Sequence, residues 1–187
     1  NLDRPILLMV ANLASHKGQE TAIQATSVLV KRGYSPILWL VGEEREAGRE
    51  YAKHLQSLVV DLGLSEFVKF LGFRKDIPKL LHAVDFLLLP STHEGLPLVV
   101  LEAQASKVVV LAAPTAGIPE VVENGHTGFL IEANNPIGYA DTIEILLKNN
   151  DLENTIVETA YRKIMSNFSL GKYCENILQE YDKLISA

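Results

Sequence analysis

Phe86-Leu87-Leu88-Leu89-Pro90-Ser91-Thr92-His93-Glu94-Gly95-Leu96-Pro97-Leu98-Val99-Val100-Leu101-Glu102-Ala103-Gln104-Ala105 reads as an unbroken apolar run, a polar turn and a helix-compatible segment. An unbroken run, unlike an alternating one, marks a strand covered on both faces, as in a parallel sheet. Pro97 suits a helix start, where the first amide has no intrahelical partner to lose. Strand, polar loop, helix is the repeating unit of an α/β domain.

The same unit recurs outward from this stretch. Largely apolar runs stand at Pro5–Val10, Ile37–Val41, Val68–Leu71, Val108–Leu111 and Phe129–Ile131. Helix-compatible segments lie between them at Gly18–Arg32, Glu46–Leu62, Asp76–Ala83, Pro97–Ser106 and Ile118–Glu123. In the first of these, Ala22, Ile23, Ala25, Thr26 and Leu29 form an apolar stripe, and Gly33 is a plausible stop. After about residue 136 the pattern turns all helical, with Pro136–Lys148, Leu152–Met165 and Leu170–Ile185. We read residues 1–187 as one Rossmann-like, doubly wound domain of about six parallel strands with a helical C-terminal tail. With strand order 3-2-1-4-5-6, the loops after the first and fourth strands, 11–18 and 90–97, meet at the topological switch point where ligands bind.

The totals narrow the function. A chain of 187 residues, 48% hydrophobic and 21% charged, can bury a sizeable core. A net charge of −6 argues against a nucleic-acid partner, which needs a basic face. Cys174 is the sole cysteine, so no internal disulfide forms, which suits a reducing cytoplasm. No run approaches the roughly 20 apolar residues of a membrane span. The chain starts at Asn1 without a signal peptide, and the missing Met suggests a piece of something longer.

Neither a G-x-G-x-x-G fingerprint nor a G-x-x-x-x-G-K-[ST] loop is present. Also missing are His/Cys/Asp metal spacing, a DxD motif and a G-x-S-x-G elbow. Lys17-Gly18 at a helix start offers a cation and free amides together, although a single loop lysine is ordinarily just solvated. Glu102 shares a helical face with Leu98, Leu101 and Ala105, and we expect that face to look inward. A carboxylate there must be paired or hydrogen-bonded. A ribose diol supplies two donors; a structural salt bridge or backbone amides are the equal alternative. Glu94, with Gly95 behind it, can accept from sugar hydroxyls, or be a solvated loop acid. His93 beside it is a weaker candidate base.

Taken together, these pieces resemble the retaining glycosyltransferases of family 4, which have the GT-B fold. Glu94 to Ala103 resembles the family's Glu, seven residues, Glu signature. Ala83 to Ser91, Phe67 to Phe73, Val10 to Gly18, and Gly117–Val122 followed by Gly125–Leu130 resemble its flanking segments in order and spacing. The resemblance implies that Lys17 contacts the diphosphate of a nucleotide-sugar donor, Glu94 the transferred sugar and Glu102 the ribose. It implies that the amides of Gly95 and Leu96 face sugar and phosphates, and that Phe73 and Arg74 pass the nucleobase. It implies no metal and no cofactor, with Lys17 and Glu94 as the catalytic pair and Glu94 positioning the sugar.

Departures from the pattern are Asn12 where an arginine usually stands, Lys107 and Val109 for Gly and Pro, and Ala116 for the first of two glycines. The acceptor-binding N-terminal domain has no counterpart here, so the isolated chain is expected to be inactive. Peripheral membrane contact would come through that missing domain. A non-catalytic domain of the same fold, used for nucleotide binding or assembly, is the alternative, and a sugar-nucleotide epimerase a third. The apolar residues Phe168, Leu170, Tyr173, Ile177, Leu178, Tyr181 and Leu184 form a stripe expected to need a partner in the missing half.

Overall fold

The computed structural model describes residues 4–44, 49–95 and 97–185. Six strands, β1 (Ile6–Val10), β2 (Ile37–Val41), β3 (Val68–Gly72), β4 (Phe86–Leu89), β5 (Val109–Ala112) and β6 (Phe129–Leu130), pair in parallel. Their order is β3-β2-β1-β4-β5-β6, the doubly wound arrangement expected from the sequence. The helices are α1 (Gln19–Lys31), α2 (Glu50–Asp61), α3 (Ile77–Leu81), α4 (Leu98–Ala105), α5 (Ile118–Val121), α6 (Pro136–Leu147), α7 (Asn150–Asn167) and α8 (Leu170–Ile185).

The destination of successive residues explains the unbroken apolar runs. Leu7, Met9, Phe86, Leu88, Val109 and Leu111 enter one core, against Ile23 and Leu29 of α1, Leu55 of α2 and Ile143 of α6. Leu8, Leu87, Leu89, Val110 and Ala112 enter the other, against Leu81 of α3, Val100 and Ala103 of α4 and Val121 of α5. Side chains alternate across a strand, so both parities must be apolar when both faces are covered. α7 serves both layers, with Ile156 in the first core and Ile164 in the second.

α2 begins at Glu50; the earlier start expected at Glu46 lies outside the described residues. The Glu44 carboxylate accepts from the Tyr51 and Ala52 amides at 3.2 and 2.8 Å, and so occupies donors that the first turn leaves unpaired.

The ends of α1 and α4 share one design. The Gly33 amide donates to Val30 and the Tyr34 amide to Leu29, closing a Schellman motif around Gly33 at φ 92°. At α4 the Lys107 amide donates to Gln104 and the Val108 amide to Ala103, with Lys107 at φ 60°. The left-handed cap therefore survives the loss of glycine. Lys107 is held there by Glu158, 2.6 Å from its Nζ, and by the Tyr161 ring 5.0 Å below it.

α8 has no buried residue, and its only substantial packing is against α7. All seven residues of the expected stripe are exposed, from Phe168 at 36% to Leu170 at 78%. Among the described residues, no helix is long and apolar enough to cross a membrane.

Candidate functional site

β1 and β4 are neighbours, paired Leu7 to Phe86 and Leu8 to Leu87. The helices that follow them pack on opposite faces of the sheet, since Ile23 of α1 and Val100 of α4 belong to different cores. The chain after each strand must therefore turn away from the other, and a crevice opens between the two turns.

Hydrogen bonds to main-chain carbonyls hold the lips of that crevice together. The Thr92 amide donates to the His16 carbonyl at 2.8 Å, and the Ser91 hydroxyl to the Lys17 carbonyl at 3.2 Å. The Thr115 hydroxyl donates to the Ser91 carbonyl at 3.3 Å, and the Gly117 amide to the Gly95 carbonyl at 3.2 Å. The loops after β1, β4 and β5 are thus joined in one rim. Gly18, at φ 81°, passes so close to Pro90 that a Cβ would collide with the Pro90 carbonyl oxygen.

Across this rim Lys17 Nζ lies 2.9 Å from Glu94 Oε1, joining residues 77 positions apart. Their side chains are 20% and 9% exposed, so the pair is largely shielded from water. A cleft of about 340 Å³ opens on the β2 side, lined by Asn12, Ser15, His16, Lys17, Glu44 and Tyr51. Burial, with the Glu20 carboxylate nearby, pushes the Tyr51 phenol up to about 12. A second cleft, about 370 Å³, opens toward β6 and is lined by Thr92, Thr115, Glu132, Asn134 and Asn135 among others.

The other sequence candidates sit as follows. The Asn12 side chain is exposed in the first cleft, while its carbonyl accepts from Gln19 Nε2 at 2.9 Å. Gly95 is exposed on the rim. Leu96 lies outside the described residues. Phe73 and Arg74 follow β3, which β2 and β1 separate from β4 in the sheet; Phe73 is 63% exposed. Arg74 forms a two-pronged pair with Asp76, at 2.8 and 2.7 Å. That guanidinium holds the Asp76 carboxyl down at about 2.

Glu102 corrects one expectation. It is exposed, and so are Leu98, at 69%, and Ala105, so their shared face of α4 does not look into the core. The buried side carries Val100, Ala103 and Gln104, and Gln104 Nε2 donates to the Thr127 carbonyl at 2.8 Å. No burial penalty therefore demands a partner for Glu102. Ala116, at φ 44°, keeps a left-handed backbone without glycine, and the following Gly117 amide is engaged by Gly95.

Sequence reasoning placed Ser91 and Thr92 in the loop at the switch point and Gly117 in a family-like segment, but it gave none of them, nor Thr115, the role of securing the rim. Their position just past the carboxyl ends of β4 and β5 was the available signal.

The sequence pattern of the glycosyl transferases group 1 family matches residues 1–163. The chain belongs to that family. A relative in it, the N-acetyl-alpha-D-glucosaminyl L-malate synthase of Bacillus anthracis, is 33% identical over 179 residues, covering 96% of this chain and 44% of the relative. The Anabaena protein HepE, solved in complex with UDP and glucose, matches with a TM-score of 0.89 at 29% identity, over 96% of this chain and 48% of that one. The C-terminal domain of a group 1 family protein from Francisella tularensis matches with a TM-score of 0.82 at 25% identity, over 89% of this chain and 87% of that one. The chain spans about half the length of the curated relatives it matches.

Proposed function

We propose that this chain supplies the donor site of a retaining, metal-independent glycosyltransferase that transfers a sugar from a nucleoside diphosphate to an acceptor. The observation that carries the reading is the Lys17–Glu94 pair at the switch point. It sets a cation for phosphate beside a carboxylate for sugar hydroxyls, the two recognition chemistries that a nucleotide sugar needs side by side. Family membership and the UDP and glucose bound by HepE support it.

On this reading Lys17 stabilises the charge that grows on the leaving diphosphate as the anomeric carbon–oxygen bond breaks. Glu94 holds the sugar, and the exposed Gly95 backbone faces the sugar and phosphates, a role the resemblance gives to the Leu96 amide as well. Glu102, exposed on the second turn of α4, is free to accept from the ribose diol. Phe73 offers an apolar surface to the base, with Arg74 beside it, and Asn12 contributes a neutral contact where a second cation would strengthen binding. No cofactor or metal is required, since the cation and the rim supply the electrostatics. The acceptor belongs to a separate N-terminal domain, against which the exposed apolar residues of α8 would pack. Any peripheral membrane contact is also made there. The chain alone transfers nothing, and it works in the cytoplasm.

A second reading, a nucleotide-binding domain without transfer, is favoured by Asn12 and by the engagement of the Gly117 amide. The deciding experiment incubates the full-length protein with a panel of nucleotide sugars and acceptors, and follows release of nucleoside diphosphate. Binding without release supports the second reading. A changed sugar configuration in the recovered nucleotide sugar indicates an epimerase. Absence of any thermal shift with nucleotides or nucleotide sugars sinks the donor-site reading altogether.

A further inference from the structure

We propose that Glu94 biases the site against the free nucleoside diphosphate that transfer leaves behind, so the carboxylate that holds the sugar also promotes product release. The inference rests on the donor-site reading above.

A carboxylate whose side chain is only 9% exposed needs hydrogen-bond donors, and here the Lys17 ammonium supplies one. Any diphosphate drawn to Lys17 competes for that ammonium. A phosphate oxygen bonded to the same Nζ comes within about 6 Å of the carboxylate. One residue on, the Gly95 carbonyl accepts from the Gly117 amide at 3.2 Å, which joins the main chain beside Glu94 to the loop after β5. Among the described residues Lys17 is the only cation in an ion pair with Glu94.

Two ligands resolve this competition differently. In a nucleotide sugar the terminal phosphate is esterified and keeps a single charge. Its sugar hydroxyls donate to Glu94, replacing what Lys17 withdraws. In the free diphosphate the terminal phosphate carries about −1.5 to −2 and brings no hydroxyl donors. Glu94 then faces a like charge at close range with its partner drawn away. Cleavage of the glycosidic bond therefore converts a satisfied carboxylate into a repelled one.

The test measures affinities of the full-length protein for UDP, GDP and ADP and for their glucose conjugates, by calorimetry. Glu94→Gln should tighten the preferred diphosphate by about fivefold, the scale of a partly screened like-charge contact, without tightening its sugar conjugate. Glu94→Ala, which adds no new donor, should move the ratio the same way, and thermal denaturation checks that each variant folds. Lys17→Ala should weaken both ligands and keep the sugar conjugate favoured at least as strongly as in the wild type, because Glu94 then stands without its cation. A diphosphate affinity unchanged or reduced in both Glu94 variants overturns the inference and leaves the donor site standing. If the wild type binds neither class of ligand, the donor site itself falls.

Discussion

Lys17 at the head of α1 and Glu94 in the loop after β4 meet at 2.9 Å across the point where the sheet reverses its winding. The two are contributed by opposite halves of the strand order, so their contact is a product of the tertiary fold. Coupling between them should be measurable. In a double-mutant cycle, Lys17→Ala and Glu94→Gln should destabilise the chain less together than the sum of their single effects, by about 0.5–1 kcal/mol. Additive effects would mean that the pair is loose in solution.

For ligand binding, Lys17→Ala in the full-length protein should lose more than about 1.5 kcal/mol of nucleotide affinity, the scale of a charge-assisted bond. Asn12 brings no second cation to share the load. Unchanged calorimetric affinity would move the phosphate site to Arg74 and Lys75.

Gly18→Ala places a methyl group against the Pro90 carbonyl at a left-handed φ of 81°. The rim has to part to admit it. A loss of at least about 2 kcal/mol in denaturant unfolding is expected, with weakened nucleotide binding alongside.

Ala116 presents the opposite opportunity. At φ 44° it carries a strain that glycine relieves, so Ala116→Gly should stabilise by about 0.5–1 kcal/mol. Lys107→Gly should gain less, because it also gives up Glu158 and the Tyr161 ring. A lower melting temperature for Ala116→Gly would show that the loop relaxes in solution.

The Tyr51 phenol gives an alkaline signature. Its folded value, about 12, lies above that of an unfolded tyrosine. The neutral phenol is therefore favoured by folding, and this contribution is complete below about pH 10 and lost as pH rises toward 12. The stability of the wild type relative to Tyr51→Phe should fall across that window in denaturant titrations. A constant difference would place the phenol in water.

How legible the molecule was depended on contrast in the sequence. Strands covered on both faces announce themselves, because Leu7-Leu8-Met9 and Phe86-Leu87-Leu88-Leu89 must be apolar at every position. The α8 stripe was equally plain, since polar residues flank it on the other face. α4 was misread because it is apolar nearly all round: Leu98, Val99, Val100 and Leu101 give no periodicity to separate inside from outside. Gln104, a polar residue turned inward to bond Thr127, added to the confusion. The Lys17–Glu94 contact was foreseen only as a shared crevice, since distance across a fold is not written in spacing. The rim bonds all end on main-chain carbonyls, which every sequence shares, and two of their four donors are amides.

That last property bears on descent. A rim stapled by amides and carbonyls at His16, Thr92, Gly95 and Gly117 depends on the path of the chain more than on most of the side chains it displays. Substitutions between the staples, such as Asn12 or His93, can accumulate singly without unfastening the loops. New substrate preferences can thus be sampled at the display positions, while any side chain at Gly18 would collide with the Pro90 carbonyl and part the rim.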